Sequence, residues 1–222
     1  MNKALKNIIG IVALPVAVGF SKVFCSMLSE VSYISSNMGL FLWGIILYML
    51  MHILFWKPVY LYTLGHEAIH IIATWMCGGH VTSFSITNDG GSVTTSKTNV
   101  FIELSPYFVP IYTLVLIFMI PVVRYWFADA DFFKYYALIL GFSLGMHLIM
   151  TAEIIKLKQP DIANSGYAFS LTVIYVANLA IIFLVFSILI KELSFTQFVM
   201  KGLESSGDIY SRLWDRLVTG ES

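Results

Sequence analysis

The chain has 222 residues, of which 58% are hydrophobic and 12% are charged, and its mean hydropathy is +0.81. This composition is more apolar than that of a water-soluble domain and indicates an integral membrane protein. The 13 basic and 13 acidic side chains give a formal net charge of zero. No basic surface of the kind that binds nucleic acid is therefore predicted, and nucleic acid is excluded as a partner.

Several apolar runs are long enough to cross a bilayer, whose hydrocarbon core of about 30 Å requires a helix of about 20 residues. The sequence predicts six such helices, at about 8–28, 39–56, 58–78, 102–123, 132–155 and 167–190. The first run follows two lysines but no small-residue cleavage pattern follows it, so we expect a retained span and not a signal peptide. Pro58 is expected to open the third helix, because proline is well tolerated in the first helical turn.

A polar segment separates the third run from the fourth. Val81, Phe84 and Ile86 are interspersed with serine and threonine, Asn88-Asp89-Gly90-Gly91 supplies turn residues, and a second short run around Val93 follows. This pattern predicts a β-hairpin, with an ordinary polar loop as the alternative. A free hairpin edge cannot face lipid, so we expect it at the membrane interface, in a cavity or against another strand.

The last segment of the chain differs from the apolar runs before it. Residues 191–222 mix aromatic and aliphatic side chains with charges of both signs, which predicts an amphipathic interfacial or cytosolic tail. No internal repeat divides the remaining residues, so we predict one multi-pass membrane domain at 1–190. The expected fold class is an all-α integral membrane protein with about six transmembrane helices and a short β-hairpin.

The third run contains the motif His-Glu-Ala-Ile-His. His66 and His70 lie four residues apart, so in a helix they project from one face, one turn apart, and can bind one metal ion together. Glu67 lies about 100° further round the helix, within reach of a water at that ion. In this HExxH pattern two neutral imidazoles bind zinc and the glutamate takes a proton from the water that attacks the substrate.

The position of these residues in an apolar run also favours a functional role. Ionisable groups inside a membrane are costly unless they face a protein interior or a wet cavity. The alternative is that they are polar residues that pack between helices. His147, in the fifth run, is a further buried imidazole, which either binds the metal, supports a ligand or an oxyanion, or packs in the core.

Residues 65–111 resemble the catalytic core of the site-2 protease family of intramembrane zinc metalloproteases. In that family an HExxH helix leads into a Gly-Gly turn, a short β-hairpin and a further span; Gly78-Gly79 and Ser105-Pro106 occupy the corresponding places here. The resemblance continues to about residue 170 and implies a metalloprotease-like core at about 58–190. Ile69 and Ile162 stand where the family usually has glycine, which indicates a divergent member.

The resemblance implies a third zinc ligand, an aspartate ahead of a later span, for which Asp161 is the candidate. A carboxylate beside two histidines leaves the fourth position of a single zinc ion open for water. The alternative for Asp161 is that it caps the helix that follows.

The implied function is that of a zinc-dependent intramembrane endopeptidase, with Glu67 as the catalytic base. Its substrate would be a transmembrane protein or peptide, which must unwind before a peptide bond can be attacked. The unwound strand could pair with the edge of the hairpin, whose substrate-pairing residues are predicted to be Val81, Phe84, Ile86 and Val93.

A non-proteolytic membrane scaffold or assembly subunit that retains the fold is the alternative function, and the departures at Ile69 and Ile162 favour it. A transporter is less favoured, because the spans lack the paired Gly/Pro interruptions expected of inverted repeats. In each case we expect a multi-pass protein in the lipid bilayer, in a bacterial cell membrane for the protease.

Overall fold

The computed structural model describes residues 2–32, 35–87, 90–127, 130–157 and 159–218. Most of these residues are helical, and a single antiparallel pair of strands accounts for the β-structure within them. The helices are α1 (Lys3–Val12), α2 (Leu14–Ser29), α3 (Ser36–Leu54), α4 (Val59–Met76), α5 (Val100–Leu104), α6 (Ile111–Trp126), α7 (Ala130–Lys156), α8 (Pro160–Ser165), α9 (Tyr167–Leu189) and α10 (Phe195–Val218). The strands are β1 (Val81–Thr87) and β2 (Gly90–Thr95), and a 3₁₀ turn covers Ser105–Tyr107.

Within the described residues, four segments are long and apolar enough to cross a membrane. They are Lys3–Ser29, Ser36–Leu54, Phe132–Lys156 and Tyr167–Leu189. A fifth is present if Val100–Tyr107 and Ile111–Trp126, which are bent by 76° relative to each other, are counted as one broken span. The prediction of a mostly helical membrane protein is confirmed.

Two of the six predicted spans, the third and the fourth, are not among the four continuous apolar segments. The fourth is interrupted between Tyr107 and Ile111, where Pro110 precedes α6 and Pro106 lies in the 3₁₀ turn. Proline removes a backbone donor and so favours such a break. The third predicted span forms α4 but is not among the four apolar segments. His66, Glu67 and His70 lower its mean hydropathy, and its path relative to the bilayer stays a prediction.

The chain forms two compact units, of which the first comprises Met1–Ile34 and Asn164–Ser222. Its helix α10, formed by the predicted tail, packs along α2. The backbones approach closely at two glycines, because Gly19 lies against Ser206 and Gly202 lies against the ring of Phe20. Phe198 is fully buried and stacks on another aromatic ring of this unit. The C-terminal part of α10 is exposed and carries Leu213, Trp214 and Leu217.

The second unit, Ser35–Ala163, holds the motif helix. Its most extensive helix packing joins α3 and α7. A Cβ atom added to Gly44 would overlap the backbone oxygen of Leu138, and one added to Gly141 would overlap the backbone oxygen of Phe41. Small residues at such crossings allow membrane helices to pack backbone to backbone.

A buried cluster connects α4 to this helix pair. Tyr48 of α3, Tyr62 of α4, and Met146 and Met150 of α7 pack together. The hydroxyl of Tyr62 also forms a 3.0 Å hydrogen bond with Thr151 Oγ1. Tyr62 therefore connects α4 to both helices of this pair, whereas the hairpin and the 3₁₀ turn make the more extensive contacts with α4.

The predicted hairpin is confirmed as a two-stranded antiparallel sheet. Phe84 pairs with Val93, and Ile86 pairs with Gly91. Of the four residues assigned to the turn, Asn88 and Asp89 lie outside the described residues, whereas Gly90 and Gly91 are the first residues of β2. The position of the hairpin relative to the membrane stays a prediction.

Candidate metal centre

Three predicted ligand residues lie together in the second unit. His66 and His70 are one turn apart on α4, with ring centroids 5.0 Å apart. Asp161 comes from α8, which begins at Pro160 immediately before it. One potential ligand atom from each of the three side chains lies within 4.8 Å of the other two.

A hydrogen bond orients the side chain of His70, whose Nδ1 lies 2.8 Å from the backbone oxygen of Ile102. Because a carbonyl oxygen only accepts, Nδ1 carries the proton, and in the neutral ring the lone pair is on Nε2. Nε2 lies 3.4 Å from Asp161 Oδ2. This is the arrangement typical of metal-binding histidines, in which the second ring nitrogen donates to a backbone carbonyl.

Tyr107 supports the same centre from the 3₁₀ turn. Its hydroxyl donates a 3.1 Å hydrogen bond to Asp161 Oδ2, and its fully buried ring lies edge-on to His66 with centroids 5.0 Å apart. Neither Tyr107 nor the Ile102 carbonyl is predicted from the sequence. The only signal for Tyr107 is a hydroxyl in an apolar run, which several other tyrosines of this chain share.

The Asp161 carboxyl is held in its ionised form. Burial by itself would raise the pKa of this group. A protonated His70, which donates to Asp161 from Nε2 and carries a positive charge, holds the pKa below its ordinary value, together with the charge of a protonated His66 and the hydrogen bond from Tyr107. A carboxyl group must be deprotonated to bind a metal ion. Asp161 therefore meets this requirement at neutral pH.

The residues fit a zinc ion in two further respects. His66 Nδ1 is buried and has no hydrogen-bond partner among the described residues, and a buried polar atom without a partner is costly. Two imidazoles and one carboxylate also form the ligand set typical of catalytic zinc, whereas calcium and magnesium favour oxygen ligands.

Glu67 lies between the two histidines in sequence and is buried against the hairpin. A Cβ atom added to Gly91 would lie 2.7 Å from Glu67 Cγ, 2.9 Å from Glu67 Oε1 and 2.7 Å from Thr63 Cγ2. The absence of a side chain at Gly91 is therefore what allows β2 to lie directly on the carboxylate.

Two cavities meet at this centre, and four residues contribute to the walls of both: His66, Glu67, Gly91 and Gln159. One has a volume of about 620 Å³ and the other about 300 Å³. The hairpin residue Val93 lines the smaller one, whereas Phe84 is 48% exposed. Val81 and Ile86 are half-buried.

His147 lies close to His66. It is buried in α7 and lines a small cavity of about 20 Å³ together with His66 and Ser143, which is room for about one water molecule. His147 does not belong to the three-residue ligand cluster, so its predicted support of that cluster stays a prediction.

Comparison of the chain with models of protein families, with curated proteins and with solved structures found no match.

Proposed function

We propose that this protein is a zinc-dependent intramembrane endopeptidase, a divergent relative of the site-2 proteases, which hydrolyses peptide bonds of membrane-embedded substrates. The observation that carries the proposal is the convergence of His66, His70 and Asp161 within 4.8 Å, with the buried carboxylate of Glu67 on the same helix. The three ligand residues alone would also fit a purely structural metal, but the adjoining glutamate favours hydrolysis.

In this proposal, His66, His70 and Asp161 hold one zinc ion. When bound there, zinc polarises the substrate carbonyl and makes a water more acidic. Glu67 accepts a proton from the water whose oxygen attacks the carbonyl carbon, and it donates that proton to the amine nitrogen as the C–N bond breaks. Tyr107 and the Ile102 carbonyl keep Asp161 and His70 in place.

Zinc content is the direct test of the proposed centre. We expect about one zinc per chain in the purified protein, and weakening of zinc binding by more than about 100-fold in His66→Ala, His70→Ala and Asp161→Ala, because loss of a ligand should exceed the cost of losing a supporting group. Elemental mass spectrometry after dialysis measures this. His80→Ala is the matched control, because His80 is exposed at the base of the hairpin. Equal zinc loss in the control, or a wild type that binds none, would refute the site.

We further propose that the edge of β2 pairs with unwound substrate. Backbone groups of an unwound helix need partners that lipid does not offer, and strand addition supplies them. Val93 lies in the wall of the smaller cavity next to Glu67. Val93→Pro, which removes a backbone donor, should therefore slow cleavage of a membrane substrate, whereas Val93→Thr, which keeps the donor and the branched shape, should not.

Cleavage by these two variants is measured in reconstituted vesicles, with zinc content as the check that the centre is intact. If Val93→Pro bound zinc and cleaved the substrate at the wild-type rate, strand addition at this edge would be abandoned.

A further inference from the structure

The two cavities that meet at Glu67 differ in chemical character. The wall of the larger one is mainly apolar away from the metal centre, with Val59, Tyr62, Met150, Ile154 and Leu157. The smaller one has a mainly polar wall, with Ser92, Thr95, Thr98, Glu103 and Gln159. The same carboxylate therefore faces an apolar space on one side and a polar space on the other.

The wall of the larger cavity also includes Lys156 and Glu153, and the Glu153 carboxylate is already paired. Glu153 Oε1 lies 2.6 Å from Lys57 Nζ and 3.1 Å from His52 Nε2. Because its charge is compensated by these partners, the cavity does not require a cationic ligand. Its remaining surface favours an apolar side chain, and its volume of about 620 Å³ is within the range of ligand-binding cavities.

Gly91 lies at the boundary of the two cavities and places no side chain between them. An extended peptide laid across Glu67 would thus meet both. Successive side chains of an extended strand point to opposite sides and are about 3.3 Å apart along it. The two residues that flank the attacked bond would therefore enter different cavities.

We infer that the cleft selects peptides with a large apolar side chain on one side of the cleaved bond and a small polar side chain on the other. The apolar residue occupies the cavity lined by Met150 and Ile154, and the polar residue occupies the cavity lined by Ser92 and Thr95. This inference rests on the proposed peptidase function and specifies its substrate.

Binding tests the selection without any cleavage. The Glu67→Gln protein is titrated with labelled peptides that differ only in the central pair, Leu-Ser or Ser-Leu, and fluorescence anisotropy reports the Kd. Burial of a leucine side chain in the apolar cavity should make one order bind about tenfold more tightly than the other. Equal affinities for the two orders would overturn the inference.

A cavity-filling variant assigns the preference to the apolar cavity. Ile154→Trp should reduce the tenfold preference to about twofold or less, because the indole occupies the space that the leucine would fill. Ile139→Trp is the matched control, since Ile139 lies on the same helix, is 51% exposed and lines neither cavity. Leu157→Trp, at a cavity residue that is 61% exposed, provides a second filling variant with less risk to folding. Retention of the full preference in both filling variants would overturn the assignment.

Cleavage by the wild-type protein separates this inference from the function on which it rests. If both peptide orders are cut at equal rates, the peptidase stands and the two-sided cleft is refuted. If one order binds preferentially and neither is cut, the peptidase is refuted and the cleft is a peptide-binding site with the proposed selectivity.

Discussion

Replacing Glu67 with glutamine is expected to lower the rate of peptide-bond cleavage by about 10²- to 10⁴-fold, the usual contribution of a general base. Glutamine has the same shape as glutamate but cannot accept the proton of the attacking water. Glu67 is not in the three-residue ligand cluster, so the variant should still bind about one zinc per chain. Cleavage is measured on a membrane-embedded peptide in reconstituted vesicles, and zinc is measured by elemental mass spectrometry.

Glu204→Gln is the matched control for this variant. It removes the same charge from an exposed position on α10, and its cleavage rate should equal that of the wild type. If Glu67→Gln cleaved the peptide at the wild-type rate, Glu67 would not be the general base. If the wild type bound zinc but cut no membrane peptide, the non-proteolytic scaffold would become the preferred function.

The second large effect is expected from Gly141→Ala. The added methyl group would overlap the backbone oxygen of Phe41, which cannot rotate away as a flexible side chain could. Overpacking of this kind costs about 1–3 kcal/mol, and sometimes more, in the free energy of unfolding. We expect a clearly lower thermal unfolding midpoint in detergent. Zinc retention should also fall on heating, because α7 contributes Met146 and Met150 to the cluster in which Tyr62 of α4 is buried.

Gly39→Ala separates a packing effect from a general effect of the substitution. Gly39 lies on α3, and an added Cβ atom at this position meets no atom within 4 Å. Alanine should be neutral or slightly stabilising there, since its helix propensity exceeds that of glycine by up to about 1 kcal/mol. A loss of stability in Gly39→Ala equal to that in Gly141→Ala would show that close packing of α3 and α7 is not the cause.

Several features of this protein follow from local sequence alone. The apolar composition predicts membrane helices because unpaired backbone groups are not tolerated in lipid. Helical periodicity places His66 and His70 on one face whatever surrounds the helix. The hairpin was predictable because its turn residues and β-branched runs act over a few positions. These properties depend on spacing within one element.

The side chains from other helices and from the hairpin that contact His66, Glu67 and His70 could not be predicted from local spacing. Asp161 was proposed from family resemblance and not from its surroundings in sequence, and its approach to His70 depends on the position of α8. Neither the hydrogen bond from Tyr107 to Asp161 nor the close contact between Glu67 and Gly91 was predicted. The break in the fourth predicted span was also missed, although Pro106 and Pro110 are visible in the sequence.

Composition and the fixed period of a helix are sufficient to predict that the protein is apolar and helical and that two imidazoles share one helix face. Which carboxylate joins those imidazoles, which hydroxyl contacts that carboxylate and which surfaces border the cleft are seen only in the folded chain. These contacts depend on how closely separate elements approach one another. That approach is set by glycines and buried side chains in other parts of the chain, such as Gly44, Gly141 and Tyr48.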